Sequence, residues 1–182
     1  MSRSSDEQDI VALIAAAGAG DAMSQLTLAF AYVKAEKVER NFGEAAKWYL
    51  RAAEQGLPLA QHNLACLYLN GQGVEKDGLQ AMHWFQQAAA QGDADAQFNL
   101  ALIYERGEIV AADLTAAASW YLQAAEKGSG RAQYDIGCML MQGAGVERNE
   151  DRGRFWLEQA AKQGVIRAQE QLLQLDQATE CS

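Results

Sequence analysis

The four tryptophans of this chain are spaced at a constant interval of 36 residues. Columns of glycines, paired alanines and valines keep the same interval, and no insertion breaks the register from Ile10 to about Leu175. The tryptophan and glycine columns, which we interpret as structural, are Trp48, Trp84, Trp120 and Trp156 with Gly56, Gly92, Gly128 and Gly164. A fixed period of this length is typical of a solenoid, in which each unit buries its apolar face only against its neighbours.

The composition favours helices over strands. Proline occurs once, at Pro58, and hydrophobic residues make up 49% of the chain. Many of them are alanines, which lose no rotamer freedom in a helix, whereas the β-branched residues that favour strands are sparse. We therefore expect an all-α fold.

Each unit divides into two helical stretches. In the second unit, apolar residues at helical spacing predict a first helix from Pro58 to Asn70 and a second helix from Gly78 to Gln91. Short polar residues that accept hydrogen bonds from first-turn amides precede the second helices, at Asn41, Asp77, Asp113 and Asn149. The equivalent column before the first helices reads Asp21, Leu57, Asp93, Ser129 and Val165, so three of its five members can cap. The glycine column suits the left-handed conformation just past a helix end.

The register also predicts the boundaries. Residues 10–20 match a second helix whose first helix is missing, and residues 165–177 continue only a first helix, as a cap. We expect a single solenoid domain over residues 10–177, with flexible tails over residues 1–9 and 178–182. Its full repeats are predicted to span about 21–56, 57–92, 93–128 and 129–164. Small residues let neighbouring helices approach closely, while the tryptophans and the tyrosine column (Tyr32, Tyr68 and Tyr104) fill the gaps between them.

Charge and cysteine usage exclude several functional classes. The net charge of −9 opposes binding to phosphate backbones, and no run approaches the ~18 apolar residues of a membrane span. The three cysteines, Cys66, Cys138 and Cys181, lack the even count of a disulfide framework and the spacing of a zinc site. We therefore expect a cytoplasmic protein that binds neither nucleic acid nor membrane.

Catalytic chemistry is not indicated by any cluster of residues. The only histidines, His62 and His83, have no suitably spaced Cys, Asp or His partner for metal binding or for a catalytic triad. The Gly-x-Gly-Val loops lack the rest of a phosphate-binding motif. We expect no enzyme activity, no cofactor and no metal.

The repeat resembles that of a known family. The second unit reads Ala60-Gln-His-Asn-Leu-Ala-Cys-Leu-Tyr, then Gly71-Gln-Gly-Val, then Ala81-Met-His-Trp-Phe-Gln-Gln-Ala-Ala-Ala-Gln-Gly92. This pattern is similar to the Sel-one-like (Sel1) repeat family, which is related to the tetratricopeptide repeats. The resemblance implies a right-handed α/α superhelix that acts as an adaptor or scaffold for other proteins, usually without catalysis. Two loops depart from the pattern, beginning at Ala35 and at Gly107.

The first helix of each repeat also carries apolar residues on the side opposite its core-facing residues. On a helical wheel with 100° per residue and Leu64 at 0°, Leu67 and Tyr68 flank Leu64. Another set of residues clusters on the opposite side of the wheel. We call this set the second apolar face: Leu26, Phe30, Val33, His62, Cys66, Leu69, Phe98, Leu102, Glu105, Tyr134, Cys138 and Met141. In tetratricopeptide-like superhelices such positions line the concave groove, but superhelical curvature can also bury them between adjacent first helices. Both interpretations stay open.

These observations predict a non-enzymatic scaffold that binds a protein segment in its concave groove. The negative net charge favours a basic partner, and the apolar face favours a partner with apolar anchors. An alternative is an immunity or chaperone-like protein that neutralises one effector, because small repeat proteins of this family resemble immunity proteins. A further alternative is a β-lactam-binding or hydrolysing enzyme, as in a secreted branch whose paired cysteines this chain lacks. Self-association stays undecided.

Overall fold

The described part of the chain is all-helical. The computed structural model describes the backbone of residues 3–180 and the side chains of residues 8–177, and this part contains ten α-helices and no strand. The helices are α1 (Arg3–Gly18), α2 (Ala22–Lys34), α3 (Phe42–Glu54), α4 (Pro58–Asn70), α5 (Gly78–Ala90), α6 (Ala94–Arg106), α7 (Leu114–Glu126), α8 (Gly130–Gln142), α9 (Glu150–Lys162) and α10 (Ile166–Glu180).

The helices pair within each repeat, and the chain divides into two compact units. Helices α2 and α3, α4 and α5, α6 and α7, and α8 and α9 pack as consecutive pairs. A hydrogen bond from the Asp77 amide to the Tyr68 carbonyl (3.0 Å) closes the loop inside the second pair. Unit 1 contains α1 to α5 and unit 2 contains α6 to α10, with the boundary between Gln91 and Gly92. The predicted helix pair of the second repeat is confirmed to within one residue.

The predicted helix caps are confirmed. The side chains before the second helices each accept a hydrogen bond from a first-turn amide; for example, Asn41 Oδ1 accepts from the Glu44 amide at 3.0 Å. Asp21, Asp93 and Ser129 cap α2, α6 and α8 in the same way. Leu57 makes no cap bond, and Pro58 occupies the start of α4, where an amide hydrogen is not needed.

Two glycine positions are required for different physical reasons. Gly56 lies just past α3 with φ +88°, and a Cβ there would meet no atom within 4 Å, so only its left-handed backbone favours glycine. Gly73 also has positive φ, but a Cβ there would overlap the backbone of Phe42 and Gly43. The Gly-x-Gly-Val loop therefore needs glycine because it touches the start of the preceding second helix. In the first repeat, Ala35 and Lys37 adopt the same left-handed conformations.

The fully buried column of large side chains is the one that follows the tryptophans, and it is aromatic except at Leu157. Tyr49, Phe85, Tyr121 and Leu157 are at most 1% exposed. The tryptophans themselves are only half-buried and pack against this core with part of their surface. The prediction that the tryptophans are buried gap-fillers is therefore corrected: on each second helix the residue after the tryptophan is enclosed in the core, and the indole lies at the edge of that core. Arg51 covers part of the Trp48 ring at 4.5 Å.

Buried glutamines form a second periodic set that the sequence analysis missed. Gln25, Gln61, Gln97 and Gln133 are all buried and 36 residues apart. Gln61 Nε2 donates to the Ala53 carbonyl (3.1 Å), and Gln61 Oε1 accepts from Gln91 Nε2 (2.9 Å). Gln25 and Gln133 make the equivalent bonds within their own units. The recurrence of glutamine at one position of every repeat was the sequence signal that could have identified this set.

The ends of the described chain extend beyond the predicted solenoid. Helix α1 begins at Arg3 and α10 ends at Glu180, so residues 3–9 and 178–180 are helical where tails were predicted. Asp9 Oδ2 pairs with Lys37 Nζ at 3.2 Å, which ties this part of α1 to the loop after α2. Met1, Ser2, Cys181 and Ser182 lie outside the described residues.

Candidate interaction surface

The second apolar face lies between the core and the solvent. Leu26 and Phe98 are nearly buried, at 6% and 8% exposure, and Glu105 is exposed. The other nine members are half-buried: Phe30, Val33, His62, Cys66, Leu69, Leu102, Tyr134, Cys138 and Met141. The core-facing residues of the same helices, such as Leu64 and Leu100, are at most 1% exposed. The first helices thus have one enclosed apolar side and one that keeps contact with solvent.

In unit 1, this face rests on the buried aromatic column. The Phe30 ring meets the Tyr49 ring edge to face, with centroids 5.6 Å apart. His62 makes the equivalent contact with Phe85 at 5.5 Å, and its Nε2 lies 3.5 Å from Cys66 Sγ. Burial raises the pKa of Tyr49, so its hydroxyl stays protonated. The inner edges of these side chains are fixed by ring packing while their outer edges remain accessible.

A cleft extends the face of unit 1 toward α1. Its volume is ≈420 Å³, and its walls include the apolar side chains of Ile10, Leu13 and Phe30. Its rim carries the Asp9–Lys37 ion pair and the longer pair between Lys34 and Glu36 (3.9 Å). Because these rim charges pair with one another, the cleft presents apolar surface more than net charge.

In unit 2, charged groups lie beside the apolar ones. The Tyr121 hydroxyl donates a hydrogen bond to Glu105 Oε2 at 2.7 Å. The Arg131 guanidinium lies 4.9 Å from the centre of the Phe98 ring and 3.7 Å from Asp95 Oδ1. Arg131 thereby covers part of the Phe98 ring, which also packs against the buried Tyr121 with ring centres 5.6 Å apart. Burial, followed by the hydrogen bond to Glu105, raises the pKa of Tyr121.

Asp135, which follows the face member Tyr134 on α8, has a carboxyl group with a raised pKa. It lies half-buried on α8, between Arg131 and Cys138 along the helix. Burial raises its pKa from 3.8 to about 6, the Glu105 charge adds to this effect, and Arg167 and Arg131 oppose it. Burial also raises the pKa of the Cys138 thiol. Sequence periodicity did not single out Asp135, since the repeat column that contains it is polar throughout.

Cys66 and Cys138 are free thiols. Among the side chains of residues 8–177, no group of three or more His, Cys, Asp or Glu residues is placed to hold a metal ion. No helix between residues 3 and 180 combines the length and apolar character needed to cross a membrane.

The repeats match a family model. The Sel1 repeat model matches four consecutive segments, residues 22–57, 58–93, 94–129 and 130–165. These segments are displaced by one residue from the repeats predicted from periodicity. Sel1 repeat proteins generally act in protein–protein interactions.

Solved structures with the same architecture include longer proteins. A Sel1 repeat protein from Oxalobacter formigenes is 36% identical with a TM-score of 0.86, over 93% of this chain and 49% of that one. A protective antigen of uropathogenic Escherichia coli strains with an SLR fold is also 36% identical, with a TM-score of 0.85, over 88% of this chain and 34% of that one. The chain thus spans about half and one third of these two proteins.

A more distant structure shows the fold alone. Helicobacter pylori cysteine-rich protein B is 21% identical with a TM-score of 0.57, over 69% of this chain and 93% of that one. No curated protein sequence matches the chain.

Proposed function

The chain belongs to the Sel1 repeat family, and from this premise we propose that it is a non-enzymatic scaffold that binds a segment of another protein along its second apolar face. Support comes from the family, whose members generally act in protein–protein interactions. No catalytic family is indicated by the comparisons.

One observation carries the proposal: half-buried apolar side chains recur at equivalent positions of the first helices. A helix that only packed its core side would carry charged residues there, as solvated faces do. Leu69 in unit 1 and Leu102 and Met141 in unit 2 instead keep apolar surface in contact with solvent. Contiguous apolar surface of this kind marks interaction sites.

The shape of the face favours a protein segment over a small molecule. Within each unit the face runs across successive first helices, α2 and α4 in unit 1 and α6 and α8 in unit 2. An amphipathic helix presents apolar anchors at intervals of three or four residues, which suits a row of shallow apolar contacts. We therefore propose an extended or helical segment with several apolar anchors as the ligand.

Capture with matched variants tests the proposal. The tagged chain is used as bait in lysate of the source organism, beside Leu69→Glu, Leu102→Glu and the control Leu79→Glu. Leu79 is 64% exposed and lies near the start of α5, outside the second apolar face. A partner captured by the wild type and the control, but lost by either face variant, is the expected result, because a charge on the apolar contact must be desolvated on binding.

Capture that is insensitive to both face variants would contradict the proposal. Circular dichroism and thermal unfolding of each variant show whether the fold is retained. Binding that survives in folded Leu69→Glu and Leu102→Glu would place the partner on another surface.

Neutralisation of a single effector remains a narrower prediction within the same proposal. A one-to-one complex of very high affinity with one protein would favour this role, whereas micromolar binding to several clients would favour a regulatory adaptor. The β-lactam alternative is tested by incubating the pure chain with a β-lactam and following ring opening, which we expect to be absent.

A further inference from the structure

Helix α10 exposes the side that the other first helices keep enclosed. It is positioned as a first helix, because Gln169 Nε2 donates to the Ala161 carbonyl (3.2 Å), as the buried glutamines do to the preceding second helices. Gln169 is nevertheless exposed, whereas the glutamines of its column in the four full repeats are at most 6% exposed. Leu173 is 62% exposed, although Ala65 and Ala101 in its column are fully enclosed.

The cause is a missing helix contact. Each of α2, α4, α6 and α8 packs against the second helix that follows it, and α10 has no such helix after it among residues 3–180. Ile166, Gln169 and Leu173 are three and four residues apart, so they form one stripe along α10. We call these three residues the α10 stripe. Covering its two large apolar side chains would be favourable, since both are in contact with water.

Helix α1 has the complementary defect. It is positioned as a second helix, because its Ala17 carbonyl accepts from Gln25 Nε2 (3.1 Å), as carbonyls of α3 and α7 do from the next glutamines. Leu13 lies in the column of Tyr49, whose members on α3, α5, α7 and α9 are at most 1% exposed. Leu13 itself is only half-buried. Among residues 3–180, no first helix precedes α1 to cover it.

The cleft between α1 and α2 has the position of that first helix. In the full repeats the first helix covers the buried column, as the Phe30 ring covers the Tyr49 ring with centroids 5.6 Å apart. Beside Leu13 there is instead the cleft of ≈420 Å³, with Ile10 on the α1 wall and Thr27 on the α2 wall. A helix in this cleft would contact α1 as its paired second helix and α2 as the neighbouring first helix.

The contact inside a helix pair indicates which residues would meet. A Cβ at Gly137 on α8 would lie 3.0 Å from Leu157 Cγ on α9, so these two columns touch within a pair. Leu173 is the α10 member of the first column, and Leu13 is the α1 member of the second. Each is the member that lacks its counterpart in the described part of the chain.

We propose that α10 of one copy of this chain packs into the α1–α2 cleft of a second copy, so that Leu173 contacts Leu13 and the two helices form one composite repeat. Register selects the occupant, because each copy carries the half-repeat that the other copy's cleft lacks. Leu173 is larger than the other residues of its column, and the cleft gives it room. The inference goes beyond the proposed function, since the partner is a second copy and not another protein.

The charges favour an apolar junction over an ionic one. The two ion pairs at the cleft rim, Asp9–Lys37 and Lys34–Glu36, balance one another. Each copy carries a net charge of −9, so two copies repel at long range, and salt screens this repulsion. Association is therefore expected to become stronger between 20 and 300 mM NaCl, and weakening over this range would contradict the proposal.

Sedimentation equilibrium of the 182-residue chain is the first experiment. Because the two surfaces differ, each copy can bind one neighbour at α10 and another at the cleft. The weight-average mass should rise continuously with concentration and reach at least about twice the monomer mass at ~0.5 mM, as for a weak interface. A monomer at every concentration, or association that stops at a dimer, would overturn the proposal.

Charged variants test each surface separately. Leu173→Glu changes the α10 stripe, and Thr27→Glu changes the cleft at an exposed position that is safer for the fold than half-buried Leu13. Both variants are expected to stay monomeric, because the new carboxylate must be desolvated in the junction. The control Leu79→Glu adds the same charge at a position that is 64% exposed and should associate like the wild type. Equal loss in all three folded variants would reduce the effect to net charge and refute the junction.

A mixture of the two variants tests whether the surfaces bind each other. Thr27→Glu keeps the α10 stripe, and Leu173→Glu keeps the cleft, so an equimolar mixture should form a dimer and nothing larger. A mixture that stays monomeric would refute the composite repeat. Association of Thr27→Glu alone would indicate contact between two α10 helices, and association of Leu173→Glu alone would indicate contact between two clefts; either result also refutes it.

NMR then locates the junction. Isotope-labelled Leu173→Glu is titrated with unlabelled Thr27→Glu, and the amides of Ile10, Leu13 and Ala31, which line the cleft, should shift in a saturable manner. Unlabelled Leu173→Glu is the matched control and should leave them unchanged. Shifts confined to residues outside the cleft would overturn the assignment. Neither experiment uses another protein, so the outcome is independent of the proposed function.

Discussion

Asp135 makes the stability of the folded chain depend on pH in a direction opposite to that of a paired carboxylate. Its pKa is raised from 3.8 to about 6 by burial and by Glu105, with Arg167 and Arg131 opposing. Between these two values the folded chain binds more protons than the unfolded chain, so the free energy of unfolding falls as pH rises through the window. Stability from this group is therefore greatest below its unfolded pKa and is lost as pH approaches 6 and above.

We predict that Asp135→Asn is more stable than the wild type at pH 7.5. The gain is expected to be on the order of 1 kcal/mol, because solvent exposure reduces the effect of the pKa shift. The difference should shrink toward pH 4, where Asp135 is protonated in the folded chain. Urea unfolding of both chains at pH 4.5, 6 and 7.5 measures it, and a difference that does not change with pH would contradict the assignment.

The buried glutamines contribute by satisfying backbone groups inside the core. Gln61 Nε2 donates to the Ala53 carbonyl, and its side-chain oxygen accepts from Gln91. Gln61→Ala is predicted to lower the free energy of unfolding by about 1–3 kcal/mol, since a buried carbonyl loses its donor. The control Gln87→Ala, at an exposed position of α5, should change it by less than about 0.5 kcal/mol. Equal changes in the free energy of unfolding for the two variants in urea would show that the hydrogen bonds of Gln61 do not stabilise the fold.

At the scale of the helix pair, two loop glycines allow the cost of a left-handed backbone to be distinguished from the cost of a steric clash. Gly56 and Gly73 both have positive φ, but only Gly73 faces backbone atoms at the position of a Cβ. Gly56→Ala is predicted to cost about 1–2 kcal/mol, as expected for a left-handed alanine. Gly73→Ala should exceed it by at least about 2 kcal/mol, because the start of α3 must also shift. Urea unfolding compares the two variants, and similar costs would argue that the loop moves away freely.

The helices and caps of each pair were predictable because their causes are local. Asn41 and Asp77 stand where first-turn amides need an acceptor, and the apolar spacing from Pro58 to Asn70 is that of a helix. Burial within a helix was less predictable, because it depends on how neighbouring helices rotate against each other. The indole of Trp84 is half-buried while Phe85 beside it is enclosed, a choice that period alone does not make.

For the second apolar face too, the spacing along each helix could be read from the sequence, but the burial of each residue could not. Periodicity predicted Leu102 and Phe98 on one side of α6, but it could not tell that Phe98 is nearly buried beside Arg131 while Leu102 is half-buried. Nor could it single out Asp135, because the perturbation of its pKa arises from burial on α8 and from Glu105 on α6. Contacts between helices decide which members of a periodic column remain available to a partner.

The charge of the whole molecule and the apolar side chains of the second apolar face should act on different steps of binding. A net charge of −9 attracts a basic segment from a distance, so it should raise the association rate and lose effect as salt screens it. Leu102, a half-buried member of the second apolar face, would act only after contact, and its loss should mainly raise the dissociation rate.

A basic peptide with apolar anchors that binds the wild-type chain allows both steps to be measured by stopped-flow fluorescence. The association rate is predicted to fall about tenfold or more between 20 and 300 mM NaCl, with a smaller change in the dissociation rate. Asp151→Asn removes a charge from an exposed position on α9, so it should lower the association rate slightly and leave dissociation unchanged. Leu102→Ala removes an apolar contact and should accelerate dissociation about tenfold. If the two variants changed the same rate by the same factor, the peptide would respond only to the overall charge of the chain, and Leu102 would not contact it in the complex.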